Sequence, residues 1–361
     1  MIDRDYTDLS YKISDRFQKI NTMYIKKMGE QLKNIGSLTP SSVKKLQQFL
    51  KMNQNISQIK SLLLKTSQLT LKELNDIFQQ TGLSVYKDAS IFYKAKGINQ
   101  VSFKDNTFMQ RHINAVAQLT SNTFVNLART TAIDKVYRDI VDLACDTVIS
   151  GIDNYSNVIR QGAINASING LNVVYSSGRT RRLDSAVRMN VLEGIRQVNN
   201  RIREQAGKEF GADGVEISVH ALCAPDHADY QGKQFSMKEF TQLQTEVLRR
   251  PISTCNCKHI TFPIVLGVST PAYTRQELQK FKDNSESEIT VNDKTVTRYQ
   301  ATQVQRNVET KIRYEKDKLT LAESMGDEYL IKKSKDKIAQ LKRQYANISQ
   351  QAGIAPKWDR T

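Results

Sequence analysis

The sequence predicts a mostly α-helical protein that carries a small α+β module in its C-terminal half. Glycine and proline are sparse, with 16 and 6 occurrences in 361 residues, which disfavours a turn-rich β architecture. Apolar residues recur at three- and four-residue intervals through the first 170 residues, as in amphipathic helices. Short segments typical of strands begin only after Gly170 and surround a group of histidines and cysteines. The expected order is a helical N-terminal half, a long central helix, short strands around the His/Cys motif, and a C-terminal helical arm.

Residues 1–170 form the first predicted region, which we expect to be a series of helices. A break is expected at Gly36 and Thr39-Pro40, where Thr39 can cap a helix and proline suits its first position. The spacing of Thr70 and Glu73 is that of a capping box, which predicts that a further helix begins there. The first helix is predicted from the spacing of Tyr11, Ile13, Phe17, Ile20, Met23, Tyr24 and Met28.

Residues 171–285 form the second predicted region, an α+β module. The pattern of residues 183–210 is that of one long amphipathic helix, and the strand after it leads directly into His220. Thr274 and Glu277 have capping-box spacing, so another helix is expected to start there. The predicted elements are, in order, a strand at 171–175, a turn at 176–178, a basic segment at 179–182, the long helix at 183–210 and a strand at 215–219.

Residues 286–361 form the third predicted region, a small hairpin followed by a helical arm. The hairpin is expected to turn at Asn292-Asp293, between the β-prone segments 289–291 and 295–296. From Tyr299 onward the apolar residues return to helical spacing, and the remaining positions are dense in Lys, Arg and Gln.

The charge balance predicts attraction to polyanions, because 53 Lys and Arg against 37 Asp and Glu give a formal net charge of +16. The basic residues are scattered over the predicted helices, which favours solvated surfaces and nonspecific phosphate contacts over sequence-specific readout. No apolar run approaches the about 20 residues that span a bilayer, and the start of the chain lacks the apolar core of a signal peptide. The candidates for contact with DNA phosphates are Arg179, Arg181, Arg182, Lys332, Lys333, Lys342 and Arg343.

Three of the four histidines and three of the four cysteines lie between residues 220 and 259. Zinc takes four nitrogen or sulfur ligands in a tetrahedron, often from two short segments that come together. The two ends of this stretch offer such segments, which makes a zinc site a candidate. Its candidate ligands are His220, Cys223, His227, Cys257 and His259, with Cys255 as an alternative ligand.

Among these residues the favoured zinc set is His227, Cys257 and His259, completed by either His220 or Cys223. The alternative is a metal-free core, in which the cysteines are small buried hydrophobes and the histidines hydrogen-bond the loop backbone. The residue pattern leaves zinc and this hydrogen-bonded core both open. Metal-dependent phosphodiester hydrolysis is a further alternative, but no glycine-rich phosphate loop or serine nucleophile elbow accompanies the cluster. We therefore expect a protein that is not an enzyme.

An ordered series of motifs runs from about residue 176 to the C-terminus. The long helix is followed by Glu216-x-Ser218-x-His220, then by PDHADYQGKxFS from Pro225, CKHxxFP from Cys257 and GVSxPAYTxxEL from Gly267. Outside the His/Cys set, its members include Pro225, Asp226, Gln231, Gly232, Lys233, Pro263, Pro271 and Tyr273. In content and order this series resembles the phage minor capsid protein 2 family, found chiefly in tailed phages of Gram-positive hosts. Cys255 departs from the family pattern, which has an Asn-Cys pair without an earlier cysteine.

The resemblance implies a structural protein of the virion, made in the bacterial cytoplasm and placed inside the phage head at or near the portal. Its implied partners are the portal protein or the major capsid protein, further copies of itself in a ring, and packaged double-stranded DNA bound nonspecifically. Residues 1–170 are the expected site of the portal or capsid contacts, because amphipathic helices suit docking into grooves. The alternative function is a metal-dependent nuclease or toxin-like effector carried in the head and delivered with the genome.

Overall fold

The computed structural model of the protein describes residues 3–36, 42–95, 97–131, 133–149, 164, 168, 171–254, 257–291 and 293–361. Helices dominate these residues, and their strands are short and antiparallel, which confirms the predicted mostly α fold with a small α+β part. Within the same residues, no helix combines the length and the apolar character that crossing a lipid bilayer requires.

The described part of the first 150 residues is a succession of helices: α1 (Asp3–Gly36), α2 (Ser42–Ala95), α3 (Thr107–Arg129) and α4 (Ile133–Ile149). The predicted apolar face of α1 is confirmed, since Phe17, Tyr24 and Met28 are buried. The predicted break falls between α1 and α2, although Thr39 and Pro40 themselves lie outside the described residues.

The predicted helix start at Thr70 is wrong, because α2 continues through this position for 54 residues in all. Thr70 is fully buried instead of lying at an exposed helix end. Buried apolar residues continue at helical intervals on both sides of it, from Ile59 and Leu63 to Leu74 and Ile77. Burial of this continuous stripe outweighs the local capping preference, which contributes only about 1 kcal/mol.

A two-stranded hairpin leads into the long helix. β1 (Asn172–Val174) pairs antiparallel with β2 (Thr180–Arg182), and Gly178 in the turn between them has a φ of 75°. The first strand and the turn are as predicted, whereas residues 179–182, expected only to be basic, contain the second strand. The helix α5 (Leu183–Phe210) begins and ends as predicted, and its apolar stripe is buried.

The α+β part contains a three-stranded antiparallel sheet. Its order is β4 (Gln234–Ser236), β3 (Gly214–Ile217) and β5 (Thr261–Ile264), so that β3 is paired on both edges. The single turn α6 (Pro225–Ala228) lies between β3 and β4 in sequence. After β4, the helix α7 (Met237–Gln242) passes into a π-helical segment, Leu243–Val247.

The predicted second capping box and the predicted hairpin are both confirmed. The Thr274 hydroxyl accepts the N–H of Glu277, and the Glu277 carboxylate accepts the N–H of Thr274, so α8 (Arg275–Glu286) begins here. The hairpin strands β6 (Glu288–Val291) and β7 (Lys294–Thr297) follow in antiparallel register.

The predicted C-terminal arm is a pair of helices. The helix α9 (Arg298–Met325) ends before Gly326, which has a φ of 73°, and α10 (Glu328–Ala352) follows. The Tyr345 hydroxyl of α10 donates to the Glu309 carboxylate of α9 at 2.8 Å. The chain therefore folds back on itself at the glycine.

The chain divides into two compact units, each assembled from segments that are distant in sequence. The first unit comprises Met1–Ser10, Thr70–Asn122 and Met189–Gln303. The second comprises Tyr11–Leu69, Thr123–Arg188 and Val304–Thr361. The predicted regions 1–170, 171–285 and 286–361 divide the chain by consecutive sequence instead, and they stay predictions.

The second unit contains a buried ion-pair network around Arg182. The Arg182 guanidinium contacts Asp317 and lies 3.1 Å from Asp184, and the Asn21 amide donates to Asp317 at 3.3 Å. The side chains of Arg182 and Asp317 are only 8% and 5% exposed. Removing one partner of such a pair leaves an uncompensated charge away from water, which is strongly unfavourable.

Replacing Arg182 by alanine is expected to lower the free energy of unfolding by about 3–5 kcal/mol, because Asp317 then stays buried without its main partner. Urea denaturation followed by circular dichroism measures this decrease. The matched control is Lys60→Ala, which breaks a pair with Asp134 whose side chains are 45% and 44% exposed. The control should cost less than about 1 kcal/mol. Equal decreases in the two variants would contradict the buried network.

Candidate metal centre

The first unit brings the His/Cys segments together through its three-stranded sheet. Strand β3 leads into the first segment, α6 carries His227, and the second segment immediately precedes β5. Ser218 ties the two segments to each other, since its N–H donates to the Ile260 carbonyl and its hydroxyl accepts the Ile260 N–H, both at 2.8 Å. The pairing of β3 with β5 therefore places the two segments side by side.

His227 lies in the helical turn that Pro225 begins, and its ring is almost wholly buried. Its Nε2 atom is 2.7 Å from the main-chain oxygen of Arg250, which can only accept a hydrogen bond. In the neutral ring Nε2 therefore carries the proton, and Nδ1 keeps its lone pair. This Nδ1 atom lies 3.6 Å from Sγ of Cys257. Metal-ligating histidines commonly have this arrangement, with the far nitrogen held by a carbonyl group.

His259 presents a different ring nitrogen to each of two thiols. Its Nδ1 atom is 3.4 Å from Sγ of Cys257, and its Nε2 atom is 3.5 Å from Sγ of Cys223. Nε2 also lies 3.4 Å from Oε1 of Gln231, an oxygen that accepts the main-chain N–H of His220 at 3.2 Å. The imidazole of His259 is thus shared between the two halves of the cluster.

The predicted ligands form two groups of three that share His259, and within each group the ligand atoms lie within 4.8 Å of one another. With Zn–S of about 2.3 Å and Zn–N of about 2.0 Å, a tetrahedral zinc site has sulfur-to-nitrogen edges of about 3.5 Å. The observed sulfur-to-nitrogen distances of 3.5, 3.6 and 3.4 Å match this length. The same lengths suit S–H···N hydrogen bonds, so the geometry accommodates both zinc and a metal-free core. The groups are His227, Cys257, His259 and His220, Cys223, His259.

The predicted completion of the first group by His220 or Cys223 stays a prediction. Cys223 lies beside Nε2 of His259, whereas Cys257 lies beside Nδ1 of the same ring. The two lone-pair directions of an imidazole point apart, so these contacts place the two thiols at different ring nitrogens. The alternative ligand Cys255 lies outside the described residues.

Burial has a strong effect on the protonation of the cluster. It raises the pKa of the Cys223 thiol to about 12, and it lowers the pKa of His259 to about 3 with help from the charges of His220 and His227. Burial also disfavours the charged forms of Cys257 and His227. The hydrogen bond between Cys257 and His227, together with hydrogen bonds to nearby backbone groups, outweighs this effect of burial. As a result the pKa of Cys257 is lowered and the pKa of His227 is raised. Of the two thiols, Cys257 is the one more readily converted to a thiolate, the metal-binding form.

Most of the cluster is buried: Cys223, His227 and His259 are each only 1% exposed, whereas His220 and Cys257 are partly exposed. A catalytic metal site keeps one position open for water or substrate, whereas a structural site is closed. The buried members suit an ion or a set of hydrogen bonds that holds the fold together.

Gly232 permits the turn that places Gln231 beside His259. Its φ is 70°, and a Cβ atom there would lie 2.2 Å from Cδ2 of Leu278. Its N–H donates to the carbonyl of Ile217 in β3 at 2.8 Å. A side chain at this position would be strained and would also collide, so the motif requires glycine here.

The other motif residues surround the cluster. The Asp226 carboxylate accepts a hydrogen bond from the Arg250 guanidinium at 2.8 Å. Pro263 of β5 lies so close to Gly207 of α5 that a Cβ atom on the glycine would come within 2.6 Å. Tyr273 makes an edge-on ring contact with Phe281 of α8. The exposed members of the motif set are Pro225, Asp226, Lys233 and Pro271.

Sequence reasoning missed the loop that follows the π-helical segment. The Gln244 amide accepts the Ile252 N–H at 2.6 Å and donates to the Ile252 carbonyl at 2.9 Å. This pair of bonds holds the loop whose Arg250 carbonyl meets His227. A main-chain carbonyl has no residue-type signature, so no sequence signal marked it.

The candidate phosphate contacts divide into exposed and buried residues. Arg179 and Arg181 are exposed, but Arg182 at the end of β2 is buried against Asp317. The prediction that Arg182 contacts DNA is therefore withdrawn, because its guanidinium is enclosed with carboxylates. The remaining candidates are exposed on α10: Lys332, Lys333, Lys342 and Arg343.

Comparison with known proteins finds one family. The family model described as Phage minor capsid protein 2 matches residues 2–347. The sequence motifs that resemble this family begin at about residue 176. The family model also matches the N-terminal helices, which precede those motifs. The same comparisons find no match among curated proteins and none among solved structures. Because the match covers nearly the whole chain, the protein belongs to the phage minor capsid protein 2 family.

Proposed function

We propose that the protein is a non-enzymatic structural component of a tailed-phage head, located inside the head at or near the portal, where it contributes to assembly. Family membership supports a structural head protein that resides in the virion. The helices of residues 1–170 are proposed to contact the portal protein or the major capsid protein, with several copies forming a ring. Packaged DNA is the proposed further partner, bound through phosphates without sequence specificity.

The burial of His227 and His259 within the His/Cys cluster is the observation that carries the structural role. The nuclease alternative would use Asp226 and His227 on a metal-bound substrate, but His227 is 1% exposed and Asp226 is engaged with Arg250 at 2.8 Å. His227 is thus not placed to meet a phosphodiester, and the exposed Asp226 carboxylate is paired with Arg250. We therefore favour a protein that holds its own fold, and not one that cleaves DNA.

We propose that one zinc ion binds Nδ1 of His227, Sγ of Cys257 and Nδ1 of His259. Both nitrogens lie within 3.6 Å of the Cys257 sulfur, and the far nitrogen of His227 is held by the Arg250 carbonyl. The candidates for the fourth position are His220 and Cys223, with Cys255, two residues before Cys257 in the sequence, as the alternative ligand. Bound in this way, zinc would link the segment before β5 to α6 and stabilise the loops of the α+β module.

Metal analysis tests the zinc site. Protein purified without chelators or nickel resin should contain one zinc per chain by mass spectrometry. Replacing both His227 and His259 by alanine should abolish zinc binding and unfold the α+β module, because a structural zinc contributes folding free energy. The control is His112→Ala, which removes the fourth histidine from α3 and should leave the zinc in place. Metal-free wild-type protein that is fully folded would favour the hydrogen-bonded core.

Salt-dependent DNA binding tests the basic face of α10. Replacing Lys332, Lys333, Lys342 and Arg343 by glutamine should weaken binding to duplex DNA of any sequence. It should also reduce the slope of log K against log salt by about 0.9 for each DNA phosphate that the variant no longer neutralises. The control replaces four exposed lysines of α1 and α2, namely Lys12, Lys26, Lys51 and Lys65. An equal effect of both variants would remove the special role of α10.

The DNA in the same binding experiments should stay intact in the presence of zinc or magnesium. Metal-dependent cleavage that disappears in Asp226→Asn would instead support the nuclease alternative.

Purified virions test the proposed location. The protein should be present at a low copy number relative to the major capsid protein, and cross-links from residues 1–170 should reach the portal protein. Absence from virions, or cross-links to tail components alone, would contradict the location.

A further inference from the structure

The second unit gathers three arginines from separate elements. Arg188 lies on α5, Arg313 on α9, and Arg360 in the 3-10 turn near the C-terminus. The Arg313 guanidinium donates to the Ser185 hydroxyl at 3.0 Å and lies 3.4 Å from the Asp184 carboxylate. These contacts join α9 to the first turns of α5, one helical turn before Arg188.

Tyr11 of α1 is the common neighbour of two of these arginines. The Arg188 guanidinium lies over its ring, 5.2 Å from the centroid. Burial raises the pKa of Tyr11, with a smaller contribution from the charge of Asp359. The charges of Arg188 and Arg360 and a hydrogen bond from Arg360 act against that rise, which places both cations near the phenol. The Lys316 ammonium of α9 donates to the main-chain oxygen of Thr361, the residue after Arg360, at 2.6 Å.

The three arginines have too few acceptors. The Nε atoms of Arg313 and Arg360 are both buried without a hydrogen-bond partner. In the described part of the chain, the ion pairs at this place are made by Arg182 and Arg313, and none is made by Arg188 or Arg360. A buried N–H group without an acceptor costs free energy, so these two unpartnered Nε–H groups need an explanation.

The nearby carboxylates do not supply the missing acceptors. Asp184 is shared between Arg182 at 3.1 Å and Arg313 at 3.4 Å. Asp359, next to Arg360, is exposed to solvent. The charges of Arg360 and Arg313 also act with burial to lower the pKa of Arg188, as expected where like charges face one another.

We propose that Arg188, Arg313 and Arg360 form a binding site for a phosphate group. Guanidinium groups bind phosphate oxygens in paired, charge-assisted hydrogen bonds. A tetrahedral phosphate has enough oxygens to accept from three arginines, whereas a carboxylate has only two oxygens. The group is either a free phosphate ion or a backbone phosphate of DNA, which present the same oxyanion chemistry. This site is separate from the basic face of α10 and from the His/Cys centre.

Inorganic phosphate is the probe for this site in the full-length protein. Thermal unfolding in phosphate should occur at a higher temperature than in chloride of equal ionic strength, and titration calorimetry should show a single saturable site. Arg188→Gln and Arg360→Gln should each weaken phosphate binding by about tenfold or more, since each removes charge-assisted bonds. Arg343→Gln on the exposed face of α10 is the matched control and should bind phosphate as the wild type does. Circular dichroism should show that both site variants fold, because each removes a repulsive charge.

Competition with a short DNA duplex then distinguishes the two sources. Displacement of phosphate by the duplex would identify a DNA backbone phosphate as the occupant, and binding of phosphate undisturbed by the duplex would identify a free anion. Equal stabilisation by phosphate and chloride would overturn the proposal, as would phosphate binding that persists unchanged in both Arg188→Gln and Arg360→Gln. Neither result depends on zinc or on the α10 lysines.

Discussion

Strand β3 is hydrogen-bonded on both edges, and the His/Cys centre depends on this double pairing. On one edge the Ile217 N–H donates to the Lys233 carbonyl at 3.1 Å, and just beyond the strand the Ser218 N–H donates to the Ile260 carbonyl at 2.8 Å. The cluster residues lie on the irregular segments that leave these paired ends. Pairing alone does not orient their side chains, so thiol and imidazole contacts, or a metal ion that replaces them, complete the arrangement.

Buried charge is accommodated in two different ways in the second unit. Arg182 is surrounded by carboxylates and by the Gln18 amide, so its donors and its charge are both satisfied. Arg188 packs on the Tyr11 ring instead, and a cation–π contact satisfies the charge only in part. The ion pairs of Arg182 stabilise the fold without any ligand. The arrangement around Arg188 leaves hydrogen-bond donors to which an oxyanion can bind.

These features agree with a structural role in a phage head. A largely buried centre within the α+β module would stabilise its loops, in keeping with a family of minor capsid proteins. A net charge of +16 would repel itself in an isolated chain, and the phosphates of packaged DNA would offset that repulsion in the proposed location.

The local sequence pattern was enough to predict the helical content, the bounds of α5 and the capping box at Thr274. It also showed that histidine and cysteine cluster in one stretch of sequence. Each of these features depends on residues that are close together in the chain. The motif order also pointed to the family. Only the tertiary structure decided that α2 runs through Thr70 and that His259 offers separate nitrogens to two thiols. It alone showed that Arg182 is buried against Asp317, 135 residues away. Those outcomes depend on burial and on partners distant in the chain, and neither leaves a mark in the spacing of nearby residues.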